Sequence, residues 1–326
     1  MGAAGVLDLS VFTPVSEAEA SALLDHYSLG ELERLEGIAQ GVENTNFFLD
    51  TTTGHYVLTL FEHIPREDLP FYVGLMDHLA RHEIRCPAPV RRDDGVMLSE
   101  LNGKPAVIVT KLPGAPRAEP SRDDCHRAGE VLGAIHVAGV EYDAALENWR
   151  GARWRERFAE KLAPRLTAAE NALIESENRY QAMHDDTVLP QGVIHGDYFH
   201  DNVLWDDEGE PGVIDFYFAC DDVLAYDLAI AANDWCVNPD STMDPARVEA
   251  LVEGYEERRP LEPLERSLWP VMLRRAQVGL VPANRLNPGG RAAMRVSTLA
   301  EIKGFTEARV DTRSAVRPAT IPAVRR

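Results

Sequence analysis

Basic residues are scarce in this chain. Its 326 residues include 33 Lys and Arg against 53 Asp and Glu, a formal net charge of −20. So acidic a surface repels phosphate backbones and excludes nucleic acid as a general partner. Cysteine is nearly absent: Cys86, Cys125, Cys220 and Cys236 stand far apart, with no Cys-x-x-Cys pair. That spacing argues against a disulfide frame or a zinc site and for reduced, mostly buried thiols in a cytoplasmic protein. No apolar run approaches the roughly 20 residues of a membrane span. The start, Met1-Gly2-Ala3-Ala4-Gly5-Val6, lacks both the basic and the apolar region of a secretory signal. It also lacks the Ser or Thr that a myristoylation motif wants after Gly2. Internal repeats and low-complexity linkers are missing as well. These absences leave a soluble globular protein, long enough for one large domain or two lobes.

What is present is concentrated between Gln191 and Asp222, in QGVIHGDYFHDNVLWDDEGEPGVIDFYFACDD. Apolar runs at Gly192–Ile194, Val203–Trp205 and Gly212–Ile214 predict short strands bounded by turns. His195-Gly196-Asp197 through Asn202 is then the loop between strands, and Asp215 closes the third strand. Phosphoryl transfer from ATP needs this set of groups. One carboxylate orients the acceptor hydroxyl, and an amide with a second carboxylate holds Mg²⁺. The Asp-to-Asn spacing equals that of the protein kinase loop H-R-D-x-x-x-x-N, with Gly196 in place of the arginine. An acidic surface hairpin is the competing account, since Asp and Asn are common in turns. Several matching spacings in one strand context weigh against it.

The rest of the chain supplies a frame. Ser16 to Glu19 is a capping box that opens a short helix to Tyr27. Strand candidates follow at Glu31–Ala39, Asn44–Asp50 and His55–Phe61. A helix over Leu69–His82 comes next, and Met97–Glu100 and Ala106–Thr110 continue the strand pattern. Past Pro113-Gly114 the pattern is helical: Arg122–Val137, Trp154–Tyr180, Leu224–Cys236, Pro245–Glu257 and Pro263–Arg275. This predicts an α+β, two-lobed protein-kinase-like fold. A small antiparallel β lobe (1–112) binds nucleotide, a larger mainly helical lobe (113–275) carries the catalytic loop, and ATP lies in a cleft between them.

Two standard parts of such a site are missing. Gly41-Val42-Glu43-Asn44-Thr45-Asn46 stands where a phosphate-covering loop belongs, yet it is not G-x-G-x-x-G. Gly41 supplies backbone freedom there and Asn44 and Asn46 supply side-chain amides, with an ordinary hairpin turn as the alternative. The third strand has Thr59 where the kinase pattern puts a lysine, and the next helix has no glutamate in its middle. Loss of both halves is self-consistent, because one buried charge without its partner is costly. His195 reads as a buried loop organiser rather than the base, a role that falls to Asp197. His136 reads as a satisfied core histidine. Asp227 opens a helix, where capping is the simplest account. His200 and Asp201 face either acceptor or solvent.

These motifs resemble the aminoglycoside phosphotransferase/choline kinase superfamily. They are His195-Gly196-Asp197 to Asn202, Ile214-Asp215-Phe216, the hinge Val109–Gly114 and Leu132-Gly133-Ala134-Ile135-His136. Within it the chain is most similar to the type II homoserine kinases. Gly41–Phe48, Tyr56–Glu62, Glu67–Phe71 and the run from Asp215-Phe216-Tyr217-Phe218-Ala219-Cys220 to Trp235-Cys236 carry that likeness, which spans about residues 11–275. The resemblance implies ATP-dependent phosphorylation of a small-molecule hydroxyl, that of L-homoserine, in threonine biosynthesis. It implies Asp197 as the catalytic carboxylate and Asn202 and Asp215 as ligands of Mg²⁺. Gly41, Asn44, Asn46, Thr110 and Leu112 are the ATP-binding candidates. Asp201, Asp221, Asp222, Arg274 and Arg275 are candidates for the charged ends of the acceptor, and a solvated surface is the other reading of them. Choline, methylthioribose and aminoglycosides are alternative acceptors, and a catalytically impaired ATP-binding protein is the alternative from another class.

The likeness stops after Arg275. Residues 276–326 hold nine Lys and Arg against three Asp and Glu, in a chain that is otherwise strongly acidic. No convincing helical periodicity is read there. A shifted reading frame is one account of this atypical segment, and a native basic tail, partly disordered and bound to an acidic surface, is the other.

Overall fold

Short strands rich in apolar residues build the first half. In the computed structural model, which describes residues 12–38, 43–149, 160, 163–165, 167–240 and 242–286, β1 (Leu32–Gly37), β2 (Asn44–Thr51), β3 (Gly54–Phe61), β4 (Leu98–Leu101) and β5 (Lys104–Thr110) form one sheet. Its order is β1-β2-β3-β5-β4, with every neighbouring pair antiparallel. Phe47 and Leu49, Leu58 and Leu60, and Ala106 and Ile108 share one face at the strand period of two. Helix α1 (Glu17–Leu24) and the turn after it cover that face with Ala20, Leu23, Leu24, Tyr27 and Leu29. The capping box forms as expected, with Ser16 and Glu19 exchanging hydrogen bonds. Helix α2 (Leu69–Arg81) follows with Pro70 in its first turn.

The chain divides into two units. The first is Met1–Ala115 together with Leu204–Tyr217; the second is Pro116–Val203 with Phe218–Arg326. The segment returned to the first unit contains most of β7 (Val203–Trp205) and all of β8 (Pro211–Val213), which pair with each other. Arg85 anchors this hairpin: its carbonyl accepts from Val213 N–H at 2.8 Å and its guanidinium binds Asp206 at 2.6 Å. Gly114, at φ +106°, passes so close that a Cβ there would lie 2.4 Å from the Trp205 carbonyl oxygen.

The second unit is built on helices α3 (Arg122–Gly139), α4 (Ala168–Ala182), α5 (Leu224–Trp235), α6 (Pro245–Arg258) and α7 (Pro263–Leu286), with a strand pair β6 (Gln191–Ile194) and β9 (Cys220–Val223). β9 escapes sequence reading because Asp221 and Asp222 interrupt its apolar pattern. Helices α3 and α6 touch backbone to backbone. A Cβ on Gly129 would lie 2.0 Å from the Leu251 carbonyl oxygen, and one on Gly254 1.9 Å from that of His126. Only glycine allows so close an approach. Helix α7 corrects the expectation that helical order ends at Arg275: it continues to Leu286. Extending a formed helix by one residue costs far less than starting one, so a weak pattern with Pro282 inside it suffices. Gly41 and the remainder of the basic segment, 287–326, lie outside the described residues.

Candidate active site

Strand β6 delivers His195, Gly196 and Asp197 in sequence, and Gly196 makes the turn. Its φ is +74°, and a Cβ would sit 2.6 Å from the Phe218 carbonyl oxygen. An arginine at this place, as in the protein kinase pattern, is sterically excluded. Asp227 on α5 holds the turn from behind. Its Oδ2 accepts the His195 N–H at 2.7 Å and its Oδ1 accepts the Gly196 N–H at 2.9 Å. Helix capping is therefore not its role; it sits at the fourth position of α5 and holds the His195–Gly196 turn instead. Burial acts to raise the Asp227 carboxyl pKa. The hydrogen bonds from the His136 ring and the His195 N–H, with the electrostatic field of the two imidazoles, outweigh that and hold it below the ordinary carboxylate value.

His195 is buried, and its Nδ1 accepts the Asp197 N–H at 3.2 Å. Asn202 closes the loop: its amide donates to the Asp197 carbonyl at 2.8 Å and to the Asp197 carboxylate at 2.9 Å. The four residues between Asp197 and Asn202 are thus the length needed for the amide to turn back onto the carboxylate. A second aspartate on α5 fixes the far end. Asp234 Oδ2 accepts both the His200 N–H and, at the same 2.7 Å, a hydrogen bond from the His200 ring. His200 is directed to α5 rather than to solvent. Trp235 Nε1 donates to the Tyr198 carbonyl at 3.1 Å, and the Tyr198 hydroxyl donates to the Ala128 carbonyl at 3.0 Å. Sequence reading missed Asp234. The available signal was Asp227 and Asp234 seven residues apart, hence on one face of an otherwise apolar helix.

The first unit carries the other half of the residue set. Asp215 follows β8 in a left-handed conformation, φ +68°, which Asp tolerates better than most side chains. Phe216 is fully buried behind it. Tyr217 packs edge-on against Phe61 at 5.1 Å and near Tyr72 at 6.3 Å. Burial pushes its phenol pKa well up, so it stays a neutral hydrogen-bonding group; Thr59 is its side-chain partner. Thr59 also donates to Asn46 Oδ1 at 2.8 Å, and the two residues are directly paired across β2 and β3. A neutral Asn46–Thr59–Tyr217 set therefore occupies the strand position where the kinase pattern has a lysine. Asn44, on the same strand face, is buried with its Oδ1 lacking a hydrogen-bond partner, an amide end that a bound polar group would satisfy. Thr110 ties the start of the hinge to Ala88 by two hydrogen bonds of 2.9 Å, and Leu112 lies against Gly212.

Of the five acceptor candidates, Asp222 and Arg275 bind each other, and Asp221, Asp201 and Arg274 have other partners or places. Asp222 accepts from Arg275 Nη2 at 2.6 and 2.8 Å and from the Asn148 amide at 2.6 Å. Arg275 is itself buried, bonded to Asp186 at 3.0 Å and stacked 4.0 Å over the Tyr226 ring. Asp221 accepts the Leu146 N–H at 2.7 Å. Arg274 turns away to Glu177 and lies 3.5 Å over the Tyr180 ring. Asp201 stays in the turn His200–Asn202, half-buried. Arg275 is an internal ion-paired group rather than a solvated surface charge, and Arg274 is partly buried in its pair with Glu177.

Comparisons with known proteins bear on the family and the fold. Residues 34–261 match the phosphotransferase enzyme family, APH. The fold is that of solved members of the class. An amicoumacin kinase in complex with AMP-PNP, Ca²⁺ and Ami superposes with a TM-score of 0.68 at 14% identity, covering 92% of this chain and 94% of that one. A spectinomycin phosphotransferase in complex with ADP and spectinomycin gives 0.65 at 16% identity, over 93% and 97%. The chain belongs to the phosphotransferase enzyme family. Its sequence relatives are more specific. The homoserine kinase of Methylobacillus flagellatus is 47% identical over 266 residues, 82% of this chain and 83% of that protein. That of Burkholderia mallei is 43% identical over 279 residues, 82% and 84%. Within the family, this chain stands with the homoserine kinases.

Proposed function

We propose that this chain transfers the γ-phosphoryl group of ATP to the side-chain hydroxyl of L-homoserine, giving O-phospho-L-homoserine and ADP, in threonine biosynthesis. The observation that carries the reading is the Asp197–Asn202 loop, clamped at both ends by Asp227 and Asp234 in a chain 47% identical to a homoserine kinase. The Asp197 carboxylate orients the acceptor hydroxyl and takes its proton as the oxygen attacks phosphorus. The Asn202 amide N–H, bonded to that carboxylate, fixes its orientation. An amide oxygen and a carboxylate suit a hard cation, so Asn202 and Asp215 would hold Mg²⁺, which supplies charge neutralisation on the phosphates. With no strand lysine, Asn44, Asn46, Thr110 and Leu112 are left to seat the nucleotide by hydrogen bonds and packing, with backbone at Gly41. For the acceptor's charged ends we retain Asp201, Asp221 and the Asp222–Arg275 pair. Arg274 is set aside because Glu177 and Tyr180 engage it. A cytoplasmic place for the chain is part of this proposal, and no described helix is long and apolar enough to cross a membrane.

The test is magnesium-dependent ADP release with L-homoserine, choline, methylthioribose and an aminoglycoside as acceptors. Homoserine should give the highest kcat/KM. Asp197→Asn should lower kcat with homoserine by about 10²–10⁴-fold, the usual contribution of a positioned proton acceptor. Preference for another acceptor would overturn the substrate assignment. Unchanged turnover in the variant would overturn the role of Asp197.

A further inference from the structure

Behind the catalytic loop, the bonds around Asp227 continue inward through groups that phosphoryl transfer does not itself require. His136 on α3 is buried and lies 3.1 Å from Asp227 Oδ2 through Nε2. Its Nδ1 lies 2.7 Å from the Tyr255 hydroxyl of α6. That hydroxyl accepts from Arg259 Nη1 at 3.1 Å, and Arg259 is gripped by Glu265 of α7 at 2.9 and 3.2 Å. Glu265 is fully buried and also accepts the Glu262 N–H at 2.8 Å. The order of donors is fixed by chemistry. Arginine can only donate, so it takes an acceptor lone pair of the phenol and leaves the Tyr255 O–H for Nδ1. A His136 ring that accepts at Nδ1 carries its proton at Nε2, where it donates to Asp227. The α3–α6 glycine contact allows this reach, since Gly133 lets the Tyr255 backbone come within 2.7 Å of where its Cβ would be.

We propose that Tyr255, Arg259 and Glu265 are positioning residues for phosphoryl transfer, acting through the Nε2–H tautomer of His136 on Asp227 and so on the His195–Asp197 backbone. None of the three has to touch substrate. Their effect is on the aim of Asp197: with Nε2–H supplied, Asp227 accepts three hydrogen bonds and the loop has one conformation. Without the Tyr255 hydroxyl, Nδ1 is a buried acceptor with no donor. The ring then gains by moving its proton or rotating, either of which loosens Asp227. The charged group bonded to this ring is Asp227 of α5; Arg259, just after α6, and Glu265 of α7 stand beyond the Tyr255 hydroxyl, and His195 lies across Asp227 from the ring.

The inference rests on the proposed reaction for its kinetic test only. In the full chain, Tyr255→Phe should lower kcat for homoserine about ten- to a hundredfold, the range typical of outer partners that orient a functional group. The KM values for ATP and homoserine should stay within about twofold, because the binding groups are untouched. Arg259→Met added to Tyr255→Phe should cost no further kcat, since the hydroxyl through which it acts is gone. Wild-type kcat in Tyr255→Phe, or a KM rise that accounts for the whole loss of kcat/KM, would overturn the proposal. Independently of any turnover, ¹⁵N-histidine NMR of the wild-type chain, assigned with His136→Gln, should find the proton on Nε2. A proton on Nδ1 would overturn the donor order. If homoserine is not phosphorylated at all while the Nε2–H tautomer is found, the substrate reading fails and the hydrogen-bond order stands.

Discussion

Asp227 shows how much a residue can do without meeting substrate. It receives two loop amides and one imidazole, all within a site closed to water, and its charge is what makes those bonds strong. The spacing of Asp197 and Asn202 was legible in the sequence because a loop of fixed length is a local property. Asp227 was legible as a motif residue but not in its action, since its partners lie 31, 32 and 91 residues away. Asp234 gave only its seven-residue spacing from Asp227 on an apolar helix, and Tyr255 gave no local sign. The folded Asp227 carboxyl titrates below its unfolded value, so its stabilisation is present above about pH 4 and is lost as pH falls through the depressed folded pKa. Asp227→Asn should destabilise the chain by about 3 kcal/mol at pH 7, because the amide turns an N–H toward groups that already donate. Thermal unfolding from pH 7 down to about pH 3 should show the gap between variant and wild type narrowing below about pH 4. A gap constant with pH would contradict the charged role.

At the scale of elements, the sheet strands and most helix starts follow from period and capping. β9 does not, and α7 outruns its periodicity. Both departures have a tertiary cause: β9 is held by its pairing with β6 and by the partners of Asp221 and Asp222, not by apolar alternation. The helix pair α3–α6 is the element contact on which the site depends. Gly129 and Gly133 in α3 and Gly254 in α6 were visible as glycines in helical stretches, a signal of close packing rather than of weak helix. Gly254→Ala puts a methyl 1.9 Å from the His126 carbonyl oxygen, so the helices must part. It should cost about 1–3 kcal/mol in denaturant unfolding, and kcat should fall as well, since parting α3 from α6 draws the Tyr255 hydroxyl off His136. Wild-type stability and turnover would contradict a tight crossing.

For the whole molecule, the residue set first read as one segment, His195 to Asp215, is divided between two units: Asp197 and Asn202 belong to the second and Asp215 to the first. The sequence order of a β-rich part followed by a helical part was legible from periodicity, whereas the return of Leu204–Tyr217 to the first unit was not. That return depends on Arg85 and Gly114, whose contacts are more than 90 residues away in the chain. A net charge of −20 is compatible with an anionic nucleotide when a cation and a few local donors meet the phosphates. The central claim is tested most directly by mass spectrometry of the products formed from L-homoserine, ATP and Mg²⁺ with the purified full chain. O-phospho-L-homoserine and ADP in equal amounts are the expected result. ADP without phosphorylated homoserine, or no consumption of ATP, would contradict it.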